Sequence, residues 1–454
     1  MVYPKHIFKA YDIRGLAESE LSEELAWSVG HTFAHILEKN GVALSGRSIV
    51  VGYDMRPTSI PFAKKVIEGI QAHGVSVVDI GLTSTPVFNF ACAHYPAHAG
   101  GIMVTASHNP AEYNGFKLTY ENGLALGTGS GMEELRDLII SNYREEKPEK
   151  GGYTTYAVVD EYVAYILSLV DTSKIRPMKI VVDAGNGMAS VSIPKLLEKL
   201  PVTVEYLFLE PDGTFPNHEA NPLKEETLRD LQKKVIENNA DFGFALDGDA
   251  DRIGLVDEMG EVVPASFVGG LVGLEILKLH PGAHMFYDLR MSRSVKEAWE
   301  SHGATTEICK VGHANIKRMM KDKKAIFAAE LSLHLFYQDT HDVESTDFSL
   351  LLVLLMLSGT DKKLNELWRP LQKYAHSGEI NFHVENADVI ISELKETYAD
   401  AKINELDGVL FEYPECWISV RKSNTEPVLR LIIEAEDKKK MDQLVKEISA
   451  SISA

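Results

Sequence analysis

The stretch GIMVTASHNP, residues 101–110, joins a buried strand to a polar loop and indicates the fold class. The apolar residues 101–104 predict a strand, and Pro110 disfavours helical backbone at the residue before it, so Ser107 is expected on a strand-end loop. Ligands of α/β sheets bind at such strand ends. Ser107, with His108 beside it, is therefore the best candidate for a covalent centre. The alternative is a serine that only supplies a turn hydrogen bond.

Strand-like and helix-like segments alternate around this stretch. Residues 48–51 and 75–80 predict buried strands, whereas residues 21–37 and 60–73 have the apolar spacing of helices. This alternation is typical of a parallel sheet covered by helices. The longest apolar run, residues 348–357, is too short to cross a bilayer and predicts a buried helix.

A second motif, DGDADR at residues 247–252, lies between two apolar, strand-like stretches. The carboxylates of Asp247, Asp249 and Asp251 would repel one another without a cation, and a short turn lets every second side chain converge on one point. Hard oxygen ligands of this kind suit Mg²⁺. The alternative is a solvated acidic turn, but such a turn does not need apolar strands on both sides.

A third motif, RKSNTEP at residues 421–427 with Arg430 after it, combines guanidinium, hydroxyl and amide donors. A phosphate dianion requires donors of this kind, and arginine adds a bidentate fork. The motif therefore predicts an anion-binding loop, with a basic turn between two strands as the alternative.

The three motifs, in this order, resemble those of the α-D-phosphohexomutase superfamily. FKAYDIRG at residues 8–15 is similar to the opening of its phosphomannomutase/phosphoglucomutase branch. ELSLH at residues 330–334 resembles its sugar-specificity loop, and KVGH at residues 310–313 resembles the segment ahead of that loop. The resemblance covers essentially the whole chain.

The resemblance implies three similar mixed α/β domains and a smaller C-terminal α+β domain around a central active-site cleft. A polar stretch at residues 144–152, a turn at 258–261 and a change of pattern near Gly378 place the boundaries. The expected domains are a phosphoserine domain (1–150), a metal-binding domain (151–258), a sugar-recognition domain (259–375) and a phosphate-binding domain (376–454).

The resemblance also implies an enzyme that interconverts hexose 1-phosphate and hexose 6-phosphate, with mannose, glucose or both as the sugar. Ser107 would carry a phosphoryl group and would bind Mg²⁺ together with the three aspartates, and hexose 1,6-bisphosphate would be both intermediate and activator. The implied acid–base groups are His108, Lys117 and Arg14. The implied substrate-binding residues are Tyr11, Arg252, Arg290, His313, Glu330, Ser332, His334, Arg421, Ser423, Asn424, Thr425 and Arg430.

The sugar loop departs from the family pattern, which leaves the substrate open. Ala329 stands where the family usually has glycine, Leu331 and Leu333 flank Ser332, and Arg290 replaces a common lysine. A phosphoglucosamine mutase is therefore an alternative.

Two further alternatives concern the class of protein. One is a haloacid-dehalogenase-like phosphatase in which Asp247 is the nucleophile. The other is a non-catalytic phosphosugar-binding protein, but the nucleophile and the metal set are both intact.

Composition agrees with a multidomain enzyme. The chain has 454 residues, which predicts about three or four domains. Its net charge of −20 argues against a nucleic-acid partner. Three widely spaced cysteines imply no disulfide framework, and the charged start and the missing membrane span predict a cytoplasmic protein. We expect a monomer or a weak dimer.

Overall fold

The computed structural model describes residues 3–145, 147–422 and 428–453. Strands of the described residues form four sheets that follow one another along the chain. The first three sheets mix parallel and antiparallel strands, and the fourth is antiparallel. The expected architecture of three similar mixed α/β domains and a smaller C-terminal α+β domain is confirmed.

The first sheet carries the serine motif. Its elements are β1 (Ile13–Leu16), α1 (Glu23–Lys39), β2 (Ser48–Tyr53), α2 (Ser59–Ala72), β3 (Ser76–Leu82), α3 (Thr85–His94), β4 (His98–Val104), β5 (Tyr113–Tyr120), α4 (Met132–Ile140) and β6 (Tyr153–Thr155). The strand order is β1-β5-β4-β2-β3-β6, and β5 is antiparallel to both of its neighbours. The strands and helices predicted in this region are confirmed.

The second sheet carries the three aspartates. Its elements are α5 (Val159–Ser168), β7 (Met178–Asp183), α6 (Ile193–Leu197), β8 (Val202–Leu207), α7 (Arg229–Asn238), β9 (Phe242–Leu246) and β10 (Ile253–Asp257). The strand order is β10-β9-β7-β8, with β10 antiparallel to β9 and the other pairs parallel.

The third sheet carries the sugar loop. Its elements are α8 (Ala265–Leu279), β11 (His284–Asp288), α9 (Arg293–Ser301), β12 (Thr305–Cys309), α10 (His313–Lys323), β13 (Phe327–Ala329), β14 (Leu335–Tyr337), β15 (Val343–Glu344), α11 (Thr346–Ser358) and α12 (Leu364–Trp368). The strand order is β12-β11-β13-β14-β15, with the last two pairs antiparallel. Every residue of α11 from Thr346 to Leu357 is buried, as the apolar run predicts.

The fourth sheet closes the chain. Its elements are β16 (Ala375–His376), β17 (Ile380–His383), α13 (Ala387–Thr397), β18 (Lys402–Asn404), β19 (Val409–Glu412), β20 (Cys416–Lys422), β21 (Val428–Ala435) and α14 (Lys438–Ser453). Short 3₁₀ turns occur elsewhere, at Lys5–Ile7, Thr172–Lys174, Met188–Val191, Glu225–Leu228, Gln338–Thr340 and Arg369–Leu371.

Three of the motifs lie in loops between antiparallel strands, one in each of the first three sheets. The loop between β4 and β5 holds the serine, the loop between β9 and β10 holds the aspartates, and the loop between β13 and β14 holds the sugar motif. Arg421 precedes, and Arg430 follows, the loop between β20 and β21. The first three sheets thus hold their motifs in the same kind of loop, between two antiparallel strands.

A continuous hydrophobic core links the first three domains. One cluster of buried side chains runs from Val50 on β2 to Leu371 after α12, so these domains share packing as well as the cleft. Within the first domain α1 and α2 approach closely at Gly30. A Cβ at this position would lie 2.2 Å from the Val66 carbonyl oxygen, which is too close for any residue other than glycine. No helix among the described residues has both the length and the apolar character to span a membrane.

Candidate active site

A cleft of about 880 Å³ opens between the first three hairpin loops and Arg430 of the fourth domain. The predicted site residues that line it are Tyr11, Arg14, Ser107, His108, Lys117, Arg252, Arg290, His313, Ser332, His334 and Arg430. Glu330 and Arg421 are buried next to side chains of the lining. Ser423, Asn424 and Thr425 lie outside the described residues.

Ser107 occupies the position that the sequence predicts, on the loop after β4. Its φ of 49° lies in the left-handed region, and its backbone N–H donates to Thr105 Oγ1 at 2.9 Å. The Ser107 hydroxyl donates to Asp247 Oδ2 at 2.8 Å and lies 3.2 Å from His108 Nδ1. The hydroxyl of this buried serine thus lies between His108 of its own loop and an aspartate of the second domain.

The three aspartates converge on one point. Asp247, Asp249 and Asp251 are buried, and one carboxylate oxygen of each lies within 4.8 Å of the others. Lys117 Nζ donates to Asp249 Oδ2 at 2.7 Å and also to Asp251. Asp249 Oδ1 is buried and accepts no hydrogen bond from any described residue. Unsatisfied hard oxygen ligands at this spacing fit a divalent cation, so these residues could hold a metal ion.

The electrostatics of the loop reflect this crowding. Burial, together with the charges of Asp251 and Asp249, raises the pKa of Asp247 well above its ordinary value. Burial also opposes ionisation of Asp251, but Lys117 and His334 hold the pKa of that carboxyl well below its ordinary value. The pKa of Lys117 is raised, because both carboxylates outweigh its burial, and the ammonium stays protonated. Lys117 thus offsets part of the negative charge of the loop.

The sugar loop forms a second buried polar group. Glu330 Oε2 accepts from Ser332 and from His334 Nδ1, at 2.9 Å for the histidine, while Glu330 Oε1 accepts from the Gly312 N–H at 2.7 Å. Burial opposes protonation of His334, yet Asp251 and Glu330 raise its pKa to about 9. His334 Nε2 also lies 3.3 Å from Asp251 Oδ1, so one imidazole ring connects the acidic loop with the sugar loop.

The other predicted acid–base groups differ in their charge state. Burial, assisted by Arg252 and Arg14, lowers the pKa of His108 well below its ordinary value, and the ring is neutral at pH 7. Arg14 donates to the Ala106 carbonyl oxygen at 2.9 Å and to Asn109 Oδ1 at 2.6 Å. Of the three, only His108 combines a neutral nitrogen with contact to the Ser107 hydroxyl.

Three arginines gather around one glutamate at the C-terminal side of the cleft. Glu379 lies 3.1 Å from Arg430, 3.5 Å from Arg421 and 3.9 Å from Arg290. Burial and the neighbouring Arg290 lower the pKa of Arg421. Arg290 also pairs with Asp288 at 2.6 Å, so Arg421 and Arg430 are left to share Glu379, and guanidinium groups gathered in this way suit an anion.

The structure adds residues that the motifs did not reveal. Thr85 Oγ1 donates to Asp249 Oδ2 at 2.6 Å, Arg56 lies beneath the serine loop, and Glu379 holds the arginines. Thr85 and Arg56 follow strands that neighbour one another in the first sheet, at the edge that carries Ser107. The carboxyl end of each predicted strand is the signal that could have identified them.

A second group with metal-ligand chemistry lies apart from the cleft lining. His35 and Glu38 of α1 approach His73 at the end of α2. Glu38 already contacts His73 Nε2 at 3.0 Å and lies 3.6 Å from Lys147 Nζ. Because Glu38 is already paired with His73 and Lys147, this group needs no metal ion to explain it.

Comparison with known proteins decides the family. Four domain descriptions match the chain in order: phosphoglucomutase/phosphomannomutase alpha/beta/alpha domains I (residues 5–145), II (160–260) and III (267–374), and the C-terminal domain (379–451). The chain belongs to the phosphoglucomutase/phosphomannomutase family. The resemblance drawn from the sequence motifs is therefore confirmed, and the haloacid-dehalogenase-like alternative is set aside.

Relatives of this mutase family match over nearly their whole length. A phosphomannomutase of Methanocaldococcus jannaschii is 35% identical, with 98% of this chain and 97% of the relative covered. A phosphomannomutase/phosphoglucomutase of Pseudomonas syringae is 35% identical, with coverage of 98% and 94%. The crystal structure of a phosphoglucomutase/phosphomannomutase family protein from Burkholderia thailandensis superposes with a TM-score of 0.90 at 31% identity, covering 99% of this chain and 97% of that one.

Proposed function

We propose that this protein is a phosphohexomutase that interconverts hexose 1-phosphate and hexose 6-phosphate through a phosphoserine at Ser107. The contact between the Ser107 hydroxyl and Asp247, inside a cluster of three buried carboxylates, carries the proposal. The names of relatives that match over nearly the full chain support the same reaction. The arginines around Glu379, at the C-terminal side of the cleft, support a substrate that carries a second phosphate.

In the proposed reaction the phosphoryl group leaves Ser107 Oγ for a sugar hydroxyl; that hydroxyl gives up its proton, Ser107 Oγ takes up a proton as it leaves, and a hexose 1,6-bisphosphate forms. On return, the other phosphate of the bisphosphate transfers to Ser107 Oγ; the sugar oxygen that leaves takes up a proton, and the Ser107 hydroxyl gives up its own. His108 is placed to accept that proton, because its neutral Nδ1 lies 3.2 Å from Ser107 Oγ. Lys117 is committed to the aspartates and instead balances their charge.

The metal in this proposal is Mg²⁺, held by Asp247, Asp249, Asp251 and Ser107. The buried oxygen of Asp249 that lacks a partner among the described residues supports this ligand set. When bound, Mg²⁺ would offset the negative charge that develops on the transferring phosphoryl oxygens.

Substrate binding in two orientations follows from the bisphosphate. Arg421 and Arg430, with Arg290, would hold whichever phosphate is not reacting. Glu330 and Ser332 would hold sugar hydroxyls that are common to both orientations. Arginine forks and a buried carboxylate are suited to these two tasks.

Both mannose and glucose phosphates are the expected substrates. They differ only at C2, so a site that holds the 3- and 4-hydroxyls through Glu330 and Ser332 accepts both. Leu331 lines the cleft beside Ser332 and could create a preference for one of the two sugars.

A reducing cytosol is the expected location, consistent with three cysteines that are buried and unpaired.

The test is kcat/KM for mannose 1-phosphate, glucose 1-phosphate and glucosamine 1-phosphate, with Mg²⁺ and a trace of glucose 1,6-bisphosphate. We expect the two neutral sugars to agree within about tenfold, because they differ only at C2 and no contact to the 3- and 4-hydroxyls is lost; a lost hydroxyl contact, at about 1–3 kcal/mol, would give a preference of about tenfold to hundredfold. An advantage of more than about tenfold for the amino sugar would favour the phosphoglucosamine mutase alternative. Conversion of none of the three would refute the proposed function.

A further inference from the structure

Arg56 is a fully buried arginine beneath the serine loop. It comes three residues after the end of β2, and β2 runs parallel to β4, with Tyr53 opposite Val104. The side chain is 0% exposed and does not line the cleft. No substrate in the cleft can therefore touch it.

The guanidinium of Arg56 binds the backbone of the loop that carries Ser107. One terminal nitrogen donates to the carbonyl oxygens of Ser107, at 2.9 Å, and Asn109, at 2.5 Å. The other donates to the carbonyl oxygens of Pro110, at 2.6 Å, and Tyr113, at 2.8 Å. Four carbonyls, three in the loop between β4 and β5 and one at the start of β5, thus converge on one planar guanidinium group, which a lysine ammonium could not match.

Asp54 supplies the counter-charge. Its Oδ2 lies 3.3 Å from Arg56 Nε, and its Oδ1 accepts from the Arg56 N–H at 3.0 Å and from Ser59 Oγ at 2.5 Å. A buried cation with one carboxylate behind it and four carbonyls in front is costly to assemble, because each group loses its hydration. Such an arrangement is unnecessary for a loop that only connects two strands.

The guanidinium of Arg56 contacts a residue with an unusual backbone conformation, Ser107. A φ of 49° is unfavourable for a residue with a Cβ and persists only where its surroundings fix it. Arg56 fixes the carbonyl oxygen on one side of the residue, while the side chain on the other side meets Asp247. A rotation of this peptide would move the hydroxyl away from the aspartates.

The second domain closes over the same arginine. The Phe215 ring centroid lies 5.1 Å from the guanidinium carbon. A Cβ on Gly213 would come within 2.5 Å of Arg56 Cα, and a Cβ on Gly248 would come within 2.5 Å of the Ser107 carbonyl oxygen. The acidic loop therefore packs directly on the serine loop, at the place where Arg56 holds it.

We propose that Arg56 is a positioning residue for phosphoryl transfer, which fixes Ser107 in the left-handed conformation that directs its hydroxyl at Asp247. This inference rests on the proposed function of Ser107. Because Arg56 is remote from the substrate, its loss slows the chemical step and leaves substrate binding unchanged.

The experiment compares Arg56→Lys and Arg56→Met with Arg47→Met. Arg47 is a matched control, because it also donates to backbone carbonyls of the first domain, those of Pro96 (3.0 Å), Ala43 (3.4 Å) and His98, at the opposite end of β2. We expect both Arg56 variants to lose about 100-fold in kcat with KM within about threefold, since a misplacement of about 1 Å costs that much. The control should keep kcat within about twofold, as expected for a change remote from the chemistry.

A second readout separates this inference from the proposed function. Transfer of label from glucose 1,6-bisphosphate to the dephosphorylated enzyme should be slowed in both Arg56 variants to the same extent as kcat. Labelling of Ser107 at the wild-type rate in these variants would overturn the positioning role while leaving the proposed function intact. Absence of Ser107 labelling in the wild type would refute the proposed function itself.

Phe215→Leu covers the case in which an Arg56 variant does not fold. It keeps the hydrogen bonds of Arg56 and removes the ring above the guanidinium. We expect a loss of about three- to tenfold in kcat with KM unchanged, because a cation–π contact is weaker than the four hydrogen bonds. Wild-type kcat in this variant, or an equal loss in Arg47→Met, would contradict the proposal.

Discussion

Asp249→Asn replaces one of three buried carboxylates with an amide of the same size. The amide oxygen can keep the hydrogen bonds of Oδ2 with Thr85, at 2.6 Å, and Lys117, at 2.7 Å. The amide nitrogen takes the place of Oδ1, which has no hydrogen-bond partner among the described residues. The substitution therefore removes a charge and a metal ligand with little change in shape.

Without metal, the electrostatic effects of this substitution nearly cancel. Carboxylate oxygens within 4.8 Å of one another repel by at least about 3.5 kcal/mol per pair at an effective dielectric constant of 20. The neutral amide would relieve the repulsion with Asp251 in full and that with Asp247 in part, because the raised pKa of Asp247 reduces its charge; the relief is about 3.5–7 kcal/mol, against the lost attraction of Lys117 at 2.7 Å, about 6 kcal/mol. The free energy of unfolding of the metal-free variant should thus stay within about 3 kcal/mol of wild type.

The metal response should change far more. At a Mg²⁺ concentration of 100 times the wild-type Kd, binding raises the free energy of unfolding by about 2.7 kcal/mol. Loss of one anionic ligand should weaken binding by about 100-fold or more, since changes to residues behind the ligands already cost 10–100-fold. The same Mg²⁺ concentration would then stabilise the variant by only about 0.4 kcal/mol.

The assay is denaturation with and without Mg²⁺, combined with calorimetric titration of the metal. Asp183→Asn is the control, because Asp183 is a buried aspartate of the same domain outside the cluster. It should keep the wild-type response to Mg²⁺ even if it lowers stability. A wild-type Mg²⁺ affinity in Asp249→Asn would refute the ligand assignment.

Three further predictions concern buried ionisable side chains. Arg421→Ala should raise KM about tenfold or more with a smaller change in kcat, because the guanidinium holds phosphate in ground and transition states alike; a loss confined to kcat in steady-state kinetics would contradict this. Burial raises the pKa of Asp347 from 3.8 to about 6, so the folded state binds the proton more tightly and wild-type stability falls as pH rises from about 4 to 6. Asp347→Asn should therefore gain up to about 3 kcal/mol relative to wild type between pH 4 and pH 7 in urea denaturation, and a constant difference would exclude the explanation. Burial raises the pKa of the thiols of Cys92, Cys309 and Cys416, so a thiol reagent should label native protein slowly and unfolded protein fast, and rapid native labelling would contradict their burial.

The local motifs of the site could be predicted from the sequence because each is continuous. The serine follows an apolar strand and precedes a proline, and the aspartates alternate in a short turn, so hydrophobic pattern and turn chemistry place both loops. The apolar run at residues 348–357 likewise predicts a buried helix, which α11 confirms.

Contacts between distant parts of the chain could not be predicted in the same way. Thr85 reaches Asp249, and Arg56 reaches Tyr113, only because the sheets bring their strand ends together. A single sequence does not show which residues in loops of different domains contact one another. Nor does it show that His334 lies between Glu330 and Asp251, although that position raises its pKa.

The identity of the phosphorylated residue tests the central claim most directly. Dephosphorylated enzyme is mixed with Mg²⁺ and glucose 1,6-bisphosphate labelled in its phosphates, quenched in acid, treated with neutral hydroxylamine and mapped by peptide mass spectrometry. We predict that the label survives on the peptide that contains Ser107 and is absent from Ser107→Ala. A label that hydroxylamine removes, as from an aspartyl phosphate at Asp247, or a label that persists in Ser107→Ala, would contradict the account.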